Sequence, residues 1–364
     1  SFGFATHSIF TIYETLFYDR VNQGKFFYQK EDLIAYVKEE QSLILKIKPD
    51  LIVSDFRLSA AISAELTGKP LLNLSNSYWC PKYDCKFPAP EAGIFKYLPT
   101  STNRFIFNLV RPFAFKFFGK ELNQTRAFFG LKKKNDFREM YTDGSFTAYM
   151  DLPNFVKIST LPENHFYLGP VIWSHESNAQ NISLNEKNNV YISMGSTGEN
   201  NILPTIIQAA LKNNLNIIVS GVNASEKATL LENIPALKDR SIIEPLLQAE
   251  EILPVCKLTI CHGGSGTVYQ SISKGVPVLC FPKNPDQGLV SLAVEKNNIG
   301  RFLTSKNTHV ATIETMIREC VTNEVVLQNV KNMQAKLTQW NTKNHWLQFL
   351  NKFKTIRKTK RIFA

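Results

Sequence analysis

The stretch that most restricts what this chain can fold into runs from Thr259 to Gly300, TICHGGSGTVYQSISKGVPVLCFPKNPDQGLVSLAVEKNNIG. Residues 257–261 are a short apolar run and predict a buried strand. His262 follows, and then a glycine-rich turn of Gly263, Gly264, Ser265, Gly266 and Thr267. Beyond it, Val268, Ile272 and Val276 have helical spacing, and Gly275, Val276 and Pro277 stop the helix. Residues 278–281 predict the next buried strand. Strand, glycine turn, helix and strand in succession are the rhythm of an α/β chain with a parallel sheet.

The turn has the chemistry of an anion site. A helix N-terminus carries unpaired N–H groups and the positive end of the helix dipole. Glycines let backbone approach an anion closely, while Ser265 and Thr267 can add hydroxyl donors. His262 stands at the strand end, where it could donate to a phosphate oxygen. Asp286 and Gln287 come at the end of the second strand and its loop, and the carboxyl ends of strands are where open α/β sheets hold ligands. A carboxylate beside a carboxamide suits sugar hydroxyls, since one only accepts and the other also donates.

In this order and spacing, H-G-G-x-G-T, G-V-P and D-Q resemble the donor-binding motif of nucleotide-sugar glycosyltransferases of the UDP-glycosyltransferase and macrolide-glycosyltransferase group. The resemblance covers most of 31–350. It implies an α/β fold of the GT-B type, two Rossmann-like domains with a cleft between them. It implies that His262, Gly263, Gly264, Ser265, Gly266 and Thr267 hold the diphosphate, and that Asp286 and Gln287 hold the donor sugar. Gln270 stands where the family usually has the Glu that holds the ribose, and Val290 where it usually has Asn. A second glycine turn beginning Gly195-Ser196 would face the same ligand. The implied reaction moves a sugar from UDP or dTDP to an acceptor hydroxyl with inversion. The donor is then a substrate, and no cofactor is called for. No Asp-x-Asp occurs, which argues against a carboxylate-bound metal at the diphosphate. Two rivals stand beside this reading: a non-catalytic nucleotide-sugar binder, and a nucleotide-sugar epimerase on the same fold.

Upstream, 31–47 has helical spacing, 51–53 is a short strand ending at Ser54-Asp55, 58–66 is helical and 70–74 is another strand. Asp55 at its strand end reads either as an N-cap or as a functional carboxylate. The resemblance implies the second, a carboxylate that orients a catalytic histidine. His7 is the only histidine upstream, and THSIF does not match the family turn. The expectation is therefore a chain that begins inside its N-terminal domain. The domains read as 1–173 for the acceptor, a polar linker at 174–189, a donor domain at 190–338, and a crossing helix with a basic tail at 339–364.

Residues 103–134 interleave phenylalanines with Arg104, Arg111, Lys116, Lys120 and Lys132 to Lys134. Core packing, an acceptor wall and peripheral contact with a membrane surface are the three readings left open there. The acceptor is expected to be a small molecule or lipid. Residues 148–158 read as strand, 241–253 as the nucleobase loop, 310–337 as helix and 340–353 as a terminal helix. With 44% hydrophobic and 20% charged residues, the 364-residue chain has the composition of a globular protein. The net charge of +11 suits an anionic ligand or membrane, and no nucleic-acid module is present in the sequence. Six cysteines without a disulfide or zinc pattern predict buried free thiols and a cytoplasmic setting.

Overall fold

A computed structural model describes residues 3–22, 26–83, 85–88, 100–172, 188–194, 200–304 and 308–362. The chain divides into two compact units, Ser1–Lys86 with Ala92–Gly169, and Phe87–Glu91 with Pro170–Ala364.

The first unit opens with α1 (Glu14–Asn22), which lies in an aromatic stretch without clear periodicity. Then come α2 (Lys30–Ile47), β1 (Ile52–Asp55), α3 (Ser59–Thr67) and β2 (Leu71–Ser75). Lys48 ends α2 in the left-handed region, with Pro49 next, and Gly68 ends α3 in the same way. The aromatic segment forms α4 (Thr100–Phe118) and α5 (Lys120–Phe128), followed by α6 (Phe137–Tyr141), β3 (Phe146–Tyr149) and β4 (His165–Tyr167). Of the strand expected over 148–158, only residues 148 and 149 are strand, at the end of β3. Just beyond it, Asp151 turns inward and accepts from Ser77 N–H (2.5 Å), Ser77 Oγ (2.8 Å) and Asn76 Nδ2 (3.2 Å). All four strands are parallel, in the order β1-β2-β3-β4, so β1 has no outer neighbour among the described residues.

The second unit holds a six-stranded parallel sheet. Its elements are β5 (Asn189–Ser193), α7 (Leu203–Lys212), β6 (Asn216–Ser220), α8 (Ala224–Asn233), β7 (Ser241–Glu244), α9 (Ala249–Ile252) and β8 (Cys256–Cys261). They continue with α10 (Ser265–Ser273), β9 (Val278–Cys280), α11 (Pro285–Lys296), β10 (Gly300–Phe302), α12 (Val310–Thr322), α13 (Glu324–Gln339) and α14 (Thr342–Ile362). Both sheet faces are covered. Val190, Ile192, Ile217, Val219, Leu258 and Ile260 pack with Ile206, Ile207, Ile313 and Ile317. Tyr191 and Ile218 pack with Ala249, Ile252 and Leu253. Burial on both faces explains why these strands read as continuous apolar runs rather than alternating ones.

Residues 241–253, expected to contain the nucleobase loop, open with strand β7. Two expectations change here. The helix expected over 310–337 is two, because Asn323 ends α12 and then caps α13, accepting from Val325 N–H (3.0 Å). The basic tail is helical through Ile362 as part of α14. Most of the expected linker lies outside the described residues. All six cysteines are buried and free.

Candidate functional site

The second sheet has the order β10-β9-β8-β5-β6-β7. Counted from β5, this is 3-2-1-4-5-6, the doubly wound order, in which the chain reverses direction between β5 and β8. Connections from these two strands leave the sheet on opposite sides, so their carboxyl ends flank an opening. Register pairs Ser193 with Cys261, which sets Met194 and His262 side by side as the chain leaves the sheet. Gly195 and Ser196, expected in a second glycine turn facing the same ligand, lie outside the described residues.

His262 is 4% exposed. Its Nδ1 lies 2.8 Å from the carbonyl oxygen of Phe281, an acceptor only, so Nδ1 carries the proton and donates. The other ring nitrogen, Nε2, is buried and has no hydrogen-bond partner among the described residues. Burial lowers the His262 pKa, the Phe281 carbonyl raises it and nearby Lys283 lowers it, with a net downward shift. The imidazole is therefore neutral at pH 7, with a bare lone pair at Nε2.

The glycines of the turn do different jobs. Gly263 has φ +84, and a Cβ there would collide with Ser291 Oγ and press on the Gln287 carbonyl at 3.1 Å. The fold itself demands glycine at this point. It also seats the turn directly against the first part of α11. Gly264 has φ −64 and ψ 136, open to any residue, and a Cβ on either Gly264 or Gly266 would meet nothing within 4 Å among the described residues. None of these residues requires a glycine at the two positions. Gly264 is also the N-cap of α10 and supplies no side-chain cap, which leaves the first-turn N–H groups of α10 to another acceptor. Gln270, half-buried, lies three residues after Thr267 and four after Gly266, on the same helix face.

Asp286 and Gln287 sit in the first turn of α11 and not in a loop. Asn284 caps that helix, accepting from Gln287 N–H (2.9 Å), and Pro285 occupies its first position. The Asn-Pro start signal was available in the sequence and would have placed the helix. Gln287 is buried, and its Oε1 already accepts from Lys283 N–H (2.9 Å), so its Nε2 is the group left to donate. Asp286 is half-buried beside it.

In the first unit, Asp55 is exposed at the carboxyl end of β1. It does not cap α3, whose N-cap is Leu58. The turn after it is held from several sides. Arg57 pairs with buried Glu40, which also accepts from Ser59 Oγ (2.6 Å) and Ser63 Oγ (2.5 Å). The Arg57 guanidinium lies 4.5 Å over the Tyr36 ring and donates to the Phe10 carbonyl (3.2 Å). Phe56 takes φ +55, a costly backbone state for a bulky residue, with its ring 4.7 Å from that of Tyr141. No sequence signal identified this clamp, because its parts are distant in sequence: Arg57 lies 17 residues from Glu40 and 47 from Phe10, and Phe56 meets Tyr141 of α6. His7 is exposed and makes no hydrogen bond or ion pair among the described residues.

Two parallel α/β sheets, one with a glycine turn at its direction switch, are the architecture of the GT-B glycosyltransferases. Residues 189–345 match the Glycosyltransferase family 28 C-terminal domain. A PGL/p-HBAD biosynthesis glycosyltransferase of Mycobacterium tuberculosis is 29% identical over 334 residues, 91% of this chain and 76% of that one. A PGL/p-HBAD biosynthesis rhamnosyltransferase of Mycobacterium bovis is 31% identical over 307 residues, 83% of this chain and 67% of that one. Among solved structures, glycosyltransferase VinC in complex with dTDP matches with a TM-score of 0.63 over 88% of this chain and 76% of its own, at 14% identity, a likeness of fold. The chain belongs to the glycosyltransferase family of these mycobacterial proteins, and is an enzyme that acts on nucleotide sugars.

Proposed function

We propose that the enzyme is an inverting transferase that moves a sugar from UDP or dTDP to a hydroxyl of a lipophilic acceptor. The observation that carries this reading is the partnerless Nε2 of His262 beside two glycines whose missing side chains leave open space. A diphosphate there would accept from the first N–H groups of α10 and from Ser265 and Thr267. The leaving nucleoside diphosphate gains negative charge as the glycosidic bond breaks, and donors already aimed at that position stabilise it without rearrangement. Charge at the diphosphate is met by backbone dipoles and imidazole, so the reading needs no metal. Asp286 and the Nε2 of Gln287 hold the sugar, Gln270 the ribose, and Gly195 and Ser196 close the other side. Asp55 orients the base that deprotonates the acceptor. Six free buried thiols fit a reducing compartment.

Because Nδ1 of His262 is committed to a carbonyl, Nε2 can donate to phosphate only as imidazolium. Diphosphate binding should therefore take up a proton. The free-state pKa is shifted downward, and the bound anion raises it. Affinity should then fall with rising pH between the two values, by up to about tenfold per pH unit. Calorimetry of UDP and dTDP in buffers of different ionisation enthalpy measures the uptake. His262→Ala should abolish it and weaken binding. Binding of equal strength without proton uptake in both proteins would remove His262 from the site.

Sugar and nucleotide contacts separate in a second measurement. Losing a buried hydrogen-bond partner typically costs about 1–3 kcal/mol. Asp286→Ala should weaken sugar-nucleotide binding by that amount and leave free UDP or dTDP binding nearly intact. Parallel loss of both would mean that Asp286 holds the α11 start rather than the sugar.

A further inference from the structure

The outer face of α4 has no role in the site described above, and its chemistry is unusual. Phe105, Leu109, Phe113 and Phe117 recur every fourth residue and are 72%, 69%, 76% and 63% exposed. Four residues advance a helix by about 40° beyond one full turn, so the four side chains form one continuous slanting stripe. Exposed Lys116 falls on the same face, and exposed Lys120 opens α5 just beyond it. The inner face is committed elsewhere: Arg111 donates to the Cys85 carbonyl (2.7 Å), and the rings of Phe115 and Phe118 lie about 6 Å from that of Phe137. The helix is thus fixed from one side and presents the other.

We propose that this outer face docks on an anionic lipid bilayer, with the phenylalanines in the interface and the lysines against phosphate headgroups. Charge decides the occupant. The 19 residues of α4 contain no Asp or Glu, and Lys132 and Lys133 add exposed cations beyond α5. Glu121, the first acid after α4, accepts from the Lys30 N–H (3.0 Å). A second copy of this face would therefore set lysines against lysines with no carboxylate between them. An aromatic stripe with interspersed cations is the chemistry of a helix lying in the plane of an anionic membrane surface. No described helix is long and apolar enough to cross a bilayer, so contact through α4 is peripheral. A row of rings, Phe118, Phe137, Tyr141 and Phe56, leads from this helix to the Asp55 end of β1, which suits an acceptor drawn from the bilayer. That last point rests on the proposed acceptor; the docking surface does not.

Sedimentation of the whole chain with vesicles of phosphatidylcholine plus phosphatidylglycerol, and of phosphatidylcholine alone, tests the surface. Wild type should bind the anionic vesicles, less strongly as salt rises. The double variant Phe113→Ser and Phe117→Ser should lower the partition at least about tenfold. Lys116→Glu with Lys120→Glu should lower it by more than about tenfold, since each cation near such a surface contributes about fivefold. UDP and dTDP affinity should be unchanged in both variants, which also reports that they fold. No binding of wild type to anionic vesicles, or undiminished binding of the phenylalanine variant, would overturn the proposal. So would a concentration-dependent dimer that the same variant abolishes. Vesicle binding in a protein that binds neither nucleotide would uphold the docking face and sink the donor reading alone.

Discussion

Asp55→Ala should slow glycosyl transfer by about 10²–10⁴-fold, the range a positioned proton-transfer group contributes, while leaving nucleotide affinity and thermal midpoint nearly unchanged. The separation is expected because Asp55 supports nothing in the fold. It is exposed and does not cap the helix that follows. The turn that carries it is nonetheless held tightly, by Arg57 on Glu40 and Tyr36 and by Phe56 in a left-handed conformation against Tyr141. A strained, clamped turn presenting a carboxylate to solvent fits a functional role better than a structural one. A carboxylate in water is too weak a base at pH 7 to deprotonate an alcohol alone. It is well suited to fixing the tautomer of an imidazole and stabilising its charged form. Steady-state kinetics of the whole gene product would show the loss in kcat, with the donor KM hardly moved. Asp55→Asn, which keeps the shape but loses the charge, should behave like the alanine variant. A full rate in either variant would remove Asp55 from the chemistry.

Much of the fold was legible because local pattern and burial agree. Runs such as Val190 to Met194 and Lys257 to Cys261 are apolar because both faces of their sheet are covered, and each observed strand lies within a residue of its expected bounds. The strand order was not legible, since it is decided by crossovers between segments tens of residues apart. Yet that order is what sets His262 beside Met194 at the switch point. Where signals compete, local reading failed. Asn323 can both end one helix and begin the next, and a continuous apolar period across it concealed the break. At 284–287 the capping signal was present, but the loop expected after a strand end took precedence over it. The partnerless Nε2 of His262 and the clamp on Asp55 are products of tertiary packing, and nothing in their neighbouring residues announces them.

The glycines of the turn are the reason to propose that the end of β8 and the start of α10 form a diphosphate cradle. Gly263 would be glycine in any protein with this fold, for its φ of +84 and its contact with α11 require it. Gly264 and Gly266 would not. Gly266 is the second residue of α10, where glycine loses more backbone freedom on folding than alanine would, and open space among the described residues stands where its side chain would be. A residue kept at a cost to the free protein is best explained by what approaches it in the bound one. Gly266→Val should therefore leave the thermal midpoint unchanged or slightly raised. It should also hold the diphosphate away from the helix N-terminus. Charge-assisted hydrogen bonds contribute about 1.5–3 kcal/mol each, so losing two of them weakens binding by on the order of 10²-fold or more. Calorimetric titration of UDP and dTDP into wild type and Gly266→Val, with melting curves of both, is the most direct measurement. Undiminished stability with binding lost at least a hundredfold, about 3 kcal/mol, is the predicted result; undiminished binding of either nucleotide by the valine variant would contradict it.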